Sequence, residues 1–179
     1  MGLGFVYREL GRVNTSWVQE FYCNFFRYNL ESVYLRGRMI LVIEVAIEDV
    51  LGCLPKASDT DAYVQAGVEI HCMTYDYDTL RSVIATLDAP WVMDADNRKP
   101  KGMLFAYLTK EAWTWQQILA HYVMPTTHFT EILVDMLVLI SCIMEGKEVY
   151  FSRLIKRFLW RGHVHGTLPF LTLITEMAE

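Results

Sequence analysis

Among the residues of this sequence, the basic ones have the types and spacing that most nearly indicate a binding site. Arg and Lys bind phosphate oxygens, and guanidinium groups do so through paired hydrogen bonds. Four recur at helical spacing near the C-terminus and two flank a glycine: Arg153, Lys156, Arg157, Arg161, Arg36 and Arg38. This pattern indicates a candidate nucleic-acid-binding face. The alternative is a solvated face balanced by acidic residues, since the net charge of −5 gives the chain no overall attraction for nucleic acid.

Histidine and cysteine side chains could bind metal or take part in catalysis, but their spacing is weak evidence for either. His163 and His165 stand one residue apart between glycines, and no further ligand can be named beside them. The four cysteines form no CxxC pair, so we expect reduced thiols and no zinc site. His128 could act as a general base, but GxSxG, Walker-loop and HExxH motifs are absent from the sequence. We therefore predict a non-enzymatic chain with no cofactor and no bound metal.

One strongly apolar stretch is the element around which the others must pack. It begins after Thr130, which could cap a helix, and ends at Gly146, which could terminate one. Apolar residues between them cover almost every direction around a helix, so other elements must surround it. The longest uncharged run, 136–144, is far too short to cross a bilayer. No membrane association is predicted.

Turn and capping residues predict the remaining elements, since Asp76 or Asp78 could cap a helix through 79–84 and Thr109 could cap one at 110–124. Arg36-Gly37-Arg38 separates two short runs of strand-forming residues, which predicts a β-hairpin. Hydrophobic spacing predicts the helices, and the segment 91–102 is predicted to be a surface loop. The expected elements are a helix at 17–28, strands at 33–35 and 39–42, helices at 43–51, 79–84, 110–124, 130–146 and 151–161, a helical turn at 61–66 and a last helical segment at 169–177.

Length and composition bound the organisation of the chain. Its 179 residues, 53% of them hydrophobic, suit one folded domain. We assign residues 1–14 to an N-terminal extension and residues 15–179 to a single helical domain. The first residues lack the long apolar core of a secretory signal, so we expect an intracellular location and leave nucleus or cytoplasm open.

Five segments follow one another in an order typical of one family: WVQEFYCNF, VYLRGRMI, AIEDVLGCLP, YDYDTLRSVIA and WTWQQILAHYVMPTTHFTEILVDMLVLISCIMEGKEV. The most specific positions are Phe21-Tyr22, Arg36-Gly37, Leu51 to Pro55, Trp115, Pro125 to His128 and Glu145 to Lys147. Over residues 15–160 the chain closely resembles the putative plant transposon protein domain, found in open reading frames of plant retrotransposon-like elements. Tyr150 and Phe151 depart from the pattern, because relatives often carry a glycine there. The resemblance implies no established activity and no catalytic residues.

The sequence thus predicts a mainly α fold, a single-domain helical bundle with a small β-hairpin near residues 33–42. Protease, polymerase and zinc-knuckle motifs of mobile elements are absent, which favours a non-enzymatic interaction or assembly module of a plant transposon-derived protein. Its partner would be another protein or a second copy, and no small-molecule substrate is predicted. The alternative is a nucleic-acid-binding module that uses the basic face of the helix 151–161. An enzyme centred on His128, or on His163 and His165, is a third hypothesis.

Overall fold

The computed structural model describes residues 12–27, 30–53, 60–96, 98–124, 130–165 and 170–179, with the backbone alone at 162–165. The chain divides into two compact units. Residues 58–149 form one unit, and residues 2–57 together with 150–179 form the other. The assignment of residues 15–179 to a single domain stays a prediction.

Helices dominate the described residues, as predicted. The helices are α1 (Thr15–Asn24), α2 (Glu44–Leu51), α3 (Ala62–His71), α4 (Tyr77–Ile84), α5 (Lys110–Tyr122), α6 (Val134–Met144), α7 (Phe151–His165) and α8 (Leu171–Ala178). The strands are β1 (Ser32–Leu35), β2 (Arg38–Leu41), β3 (Val92–Met93), β4 (Pro100–Leu104) and β5 (Glu131–Leu133). The mainly α fold with a hairpin is confirmed. Among the described helices, none is both long and apolar enough to span a bilayer.

Helix α6 is the centre of the unit formed by residues 58–149. All of its residues except Asp135 and Met144 are buried. Helices α3, α4 and α5 and strands β4 and β5 pack around it, as its all-round apolar surface predicts. The side chains of Asp76 and Thr109 cap α4 and α5. The predicted start of α5 is confirmed, and α4 is capped by Asp76 and begins at Tyr77, before the predicted 79.

The start of the central helix and the loop at 91–102 differ from the prediction. Thr130 does not cap a helix, because Glu131–Leu133 form strand β5 and α6 begins only at Val134. The predicted loop supplies β3 and the first residues of β4, in an antiparallel sheet with the order β3-β4-β5. Gly102 permits this pairing, since a Cβ there would collide with the carbonyl oxygen of Ile132 on β5.

The second unit joins α1 and the β1–β2 hairpin to α2, α7 and α8. Helix α1 packs against β1 and α8, and α2 packs against α7 and α8. Phe21 in α1 and Phe25 at its C-cap are fully buried in this unit. The ring of Phe25 meets Trp160 of α7 edge-on, with 5.9 Å between the centroids.

Helix α7 has the predicted amphipathic pattern and is longer than predicted. Its apolar side chains are all buried: Phe151, Leu154, Ile155, Phe158 and Leu159. The helix continues through Gly162 to His165 instead of ending at Arg161, because one glycine costs a helix only about 1 kcal/mol. Two other helices also differ from the prediction. Helix α1 is capped by Asn14 and ends at Asn24, and α3 has ten residues where the sequence predicts one turn.

Candidate interaction surface

The β1–β2 hairpin is closed by a two-residue turn. Arg36 and Gly37 both have positive φ, 51° and 77°, as a type I′ turn requires. The turn sets the register of the strands, in which Tyr34 lies opposite Met39. Because side chains alternate between the faces of a sheet, Leu41 shares a face with Met39. The sequence pattern and the turn together therefore align Tyr34, Met39 and Leu41 on one side of the hairpin.

The two faces of the hairpin have opposite surroundings. Val33, Leu35 and Ile40 on the inner face are buried, and helices α1 and α8 pack against the hairpin. Tyr34, Met39 and Leu41 are 65%, 57% and 45% exposed, and we call these three residues the outer face. Large exposed apolar side chains that lie side by side are typical of interaction sites. The outer face is therefore the candidate interaction surface of this chain.

The two edges of the hairpin also differ. Along β1, Asn24 Nδ2 donates to the carbonyl oxygen of Tyr34 at 2.7 Å, and the backbone N–H of Arg36 donates to Glu20 Oε1 at 2.9 Å. Both partners belong to α1, so this helix covers the β1 edge. Along β2, the backbone of Met39 and Leu41 has no hydrogen-bond partner beyond the hairpin among the described residues. Strand β2 is thus an open edge in the described part of its unit.

The two basic residues predicted at the turn have different environments. Arg36 is held against α1, because its Nε lies 3.1 Å from Glu20 Oε2 and its Nη2 donates to Ser16 Oγ at 3.0 Å. Arg38 is exposed and forms no ion pair with the residues that the structure describes. The positive charge of Arg36 is therefore compensated within its unit, whereas that of Arg38 is open to a partner.

The four basic residues predicted on α7 likewise include some with a partner and some without an ion pair. Arg153 Nε lies 3.2 Å from Glu44 Oε1 of α2, and the Arg161 guanidinium lies 5.2 Å from the centroid of an aromatic ring of its own helix. Lys156 and Arg157 make no ion pair within the described ranges. Helix α7 packs on α2, whereas the hairpin packs on α1 and α8. The six predicted residues therefore belong to two separate parts of their unit.

Reactive groups do not gather into a catalytic arrangement in the described part of the chain. His128 and the side chains of His163 and His165 lie outside that part, and no group of three metal-binding side chains occurs within it. Burial raises the pKa of the Cys142 thiol to about 11, and burial likewise raises the pKa of Cys53 to about 11. Both thiols stay protonated at neutral pH and are poor nucleophiles.

A family model described as "Putative plant retrotransposon-related domain" matches residues 1–179, the whole chain. The match spans both compact units, the hairpin included. No curated protein and no solved structure matches the chain.

Proposed function

Since the chain belongs to the family of plant retrotransposon-related domains, we propose that it is a non-enzymatic protein-interaction module of such an element. Its contact surface is the outer face of the hairpin. The observation that carries the proposal is the exposure of Tyr34, Met39 and Leu41 on a sheet whose opposite face is buried. Removal of three large apolar side chains from water lowers the free energy of the complex with a partner.

That gain would supply one part of the free energy of a protein contact. Full burial of an exposed Leu or Met side chain is worth roughly 1.5–3 kcal/mol, and each of these three side chains is already partly buried and would gain about half of that. Association also costs translational, rotational and side-chain freedom. The hairpin reduces the last of these costs, because its inner face is packed and α1 holds its β1 edge. Little ordering of this surface is therefore needed when a partner binds.

Photocrosslinking at position 34 tests this proposal. A photoreactive phenylalanine analogue at Tyr34 should form protein adducts in nuclease-treated plant extract, and Met39→Thr with Leu41→Thr should reduce those adducts. The matched control carries the analogue at Leu87, an apolar side chain that is 93% exposed and lies outside the hairpin. Adducts to other proteins and to a second copy of the chain both count as protein contact. Adducts at position 34 that do not exceed those at position 87 would contradict the proposal.

Nucleic-acid binding is the second candidate function. Lys156 and Arg157 on α7 support it, since their charges have no ion-pair partner among the described residues. The pairing of Arg153 with Glu44 and the net charge of −5 favour the protein partner instead. Reversal of Arg153, Lys156 and Arg157 to Glu should abolish a salt-sensitive shift of labelled RNA or DNA if the second candidate is right. No shift by the unmodified chain at low salt would eliminate it.

A further inference from the structure

We propose that two copies of this chain pair through their β2 edges, antiparallel across a twofold axis, so that the two hairpins form one four-stranded sheet. This inference rests on the proposed function and names the partner as a second copy. Open edge strands have unpaired N–H and C=O groups that invite another strand. Addition of a strand to such an edge is a recurring mode of recognition.

The hydrogen-bond pattern of the hairpin shows which backbone groups face the open edge. Residues opposite each other in an antiparallel pair alternate between hydrogen-bonded and non-hydrogen-bonded pairs. The N–H of Val42 donates to the carbonyl oxygen of Glu31 at 2.7 Å, so that pair is hydrogen-bonded and the Tyr34–Met39 pair is not. The carbonyl oxygen of Tyr34 accordingly faces α1, where Asn24 donates to it. On the other strand, the N–H and C=O of Met39 must face away from β1.

The same alternation makes β2 complementary to itself. Leu41 stands two positions after Met39, so its N–H and C=O face the same edge. With Ile40 on the twofold axis, Met39 lies opposite the partner's Leu41, and Leu41 lies opposite the partner's Met39. Both are hydrogen-bonded pairs, and together they supply about four main-chain hydrogen bonds. In this register every side chain of β2 stays on the face of the sheet that it occupies in the single hairpin.

The charges at the two ends of β2 favour an antiparallel second copy. Arg38 at the turn end is exposed and has no ion pair among the described residues. Glu31, which pairs with Val42 at the other end of the hairpin, is also exposed. Antiparallel pairing places Arg38 opposite the partner's Val42, beside the partner's Glu31. The basic end of each hairpin therefore meets the acidic end of the other, and the two Arg38 side chains stay apart.

The paired sheet also extends the outer face. Met39 and Leu41 of each copy lie directly opposite one another on the same side of the sheet, where cross-strand side chains are close enough to pack. Tyr34 of each copy lies next to Met39. Two outer faces of three residues therefore become one continuous apolar surface, and the four central side chains lose much of their exposure to water.

Sedimentation of the full chain over a wide range of concentration tests this inference. The unmodified chain should dimerise, and Met39→Lys with Leu41→Lys should weaken dimerisation at least about tenfold, because lysines then oppose each other across the axis. The matched variant Met39→Lys with Leu41→Glu should restore dimerisation, because each Lys then faces the partner's Glu. Unfolding curves of both variants check that the hairpin still folds.

Three results would overturn the inference. They are a monomer at every concentration, a dimer that the Lys–Lys variant does not weaken, and a Lys–Glu variant that fails to restore what the Lys–Lys variant loses. The proposed function can still stand in these cases. A monomer that forms adducts with another protein through position 34 would keep the interaction surface and remove only the second copy.

Discussion

Helix α6 and the β1–β2 hairpin are both rich in large apolar residues, but their surroundings differ. Helix α6 is apolar on nearly every side and is enclosed by three helices and two strands. The hairpin is apolar on both faces, and only its inner face is enclosed. Apolar content alone therefore does not identify a functional surface. What distinguishes the hairpin is that its outer face is left exposed on a rigidly held scaffold.

The largest expected effect is the loss of a side chain from the enclosed helix. Ile140 in α6 is fully buried, so Ile140→Ala should lower the free energy of unfolding by about 2–5 kcal/mol. Urea denaturation measures this loss. A change below about 0.5 kcal/mol would mean that α6 is not enclosed as described.

The next prediction concerns Gly102, where β4 and β5 lie very close together. Gly102→Ala should lower the free energy of unfolding by about 1–3 kcal/mol, because the new Cβ collides with the carbonyl oxygen of Ile132. Gly67→Ala is the matched control, since a Cβ in that helix meets nothing within 4 Å and should stabilise α3 by about 0.5–1 kcal/mol. Equal effects of the two substitutions would show that β4 and β5 do not pair.

A substitution on the outer face should leave stability almost unchanged. Met39 is 57% exposed and lies in a strand, and Thr keeps the strand preference while removing apolar surface. Met39→Thr should therefore change the free energy of unfolding by no more than about 0.5 kcal/mol, measured at a concentration too low for association. A loss similar to that of Ile140→Ala would place Met39 in a core and contradict the exposure of the outer face.

The smallest expected effect concerns acid at the start of α4. Hydrogen bonds from the Thr79 hydroxyl and from the backbone of Thr79 and Asp78 lower the pKa of Asp76 below its ordinary value of 3.8. The carboxylate therefore adds stability above pH 3.8 that is lost as the pH falls through the lowered pKa. Asp76→Asn keeps a capping side chain that does not titrate. Its urea midpoint should fall less between pH 5 and 3, and an unchanged acid slope would refute this role.

Local chemistry predicted much of this fold. The glycine-containing turn placed the hairpin, Asp76 and Thr109 placed the starts of α4 and α5, and the spacing of apolar residues placed the buried face of α7. The β3–β4–β5 sheet could not be predicted, because β3 has only two residues and β4 pairs with β5, a distant segment of the chain. The close contact at Gly102 likewise depends on a neighbour far away in the sequence.

Only part of the candidate site could be predicted from the sequence. Once the two-residue turn is fixed, alternation assigns Tyr34, Met39 and Leu41 to one face of the hairpin. Which face the helices cover is decided by tertiary packing, and the sequence has no local signal for it. The basic residues gave a stronger sequence pattern, but two of them, Arg36 and Arg153, have carboxylate partners in the fold.

Amide hydrogen exchange along β2 shows directly whether two copies of the chain pair through this edge. The amides of Met39 and Leu41 face the open edge, whereas the amide of Ile40 is paired with β1. Exchange at Met39 and Leu41 should be fast at low protein concentration and slow markedly as the concentration rises, while Ile40 should be protected throughout. Exchange at Met39 and Leu41 that stays equally fast at every concentration would contradict the pairing of two copies through β2.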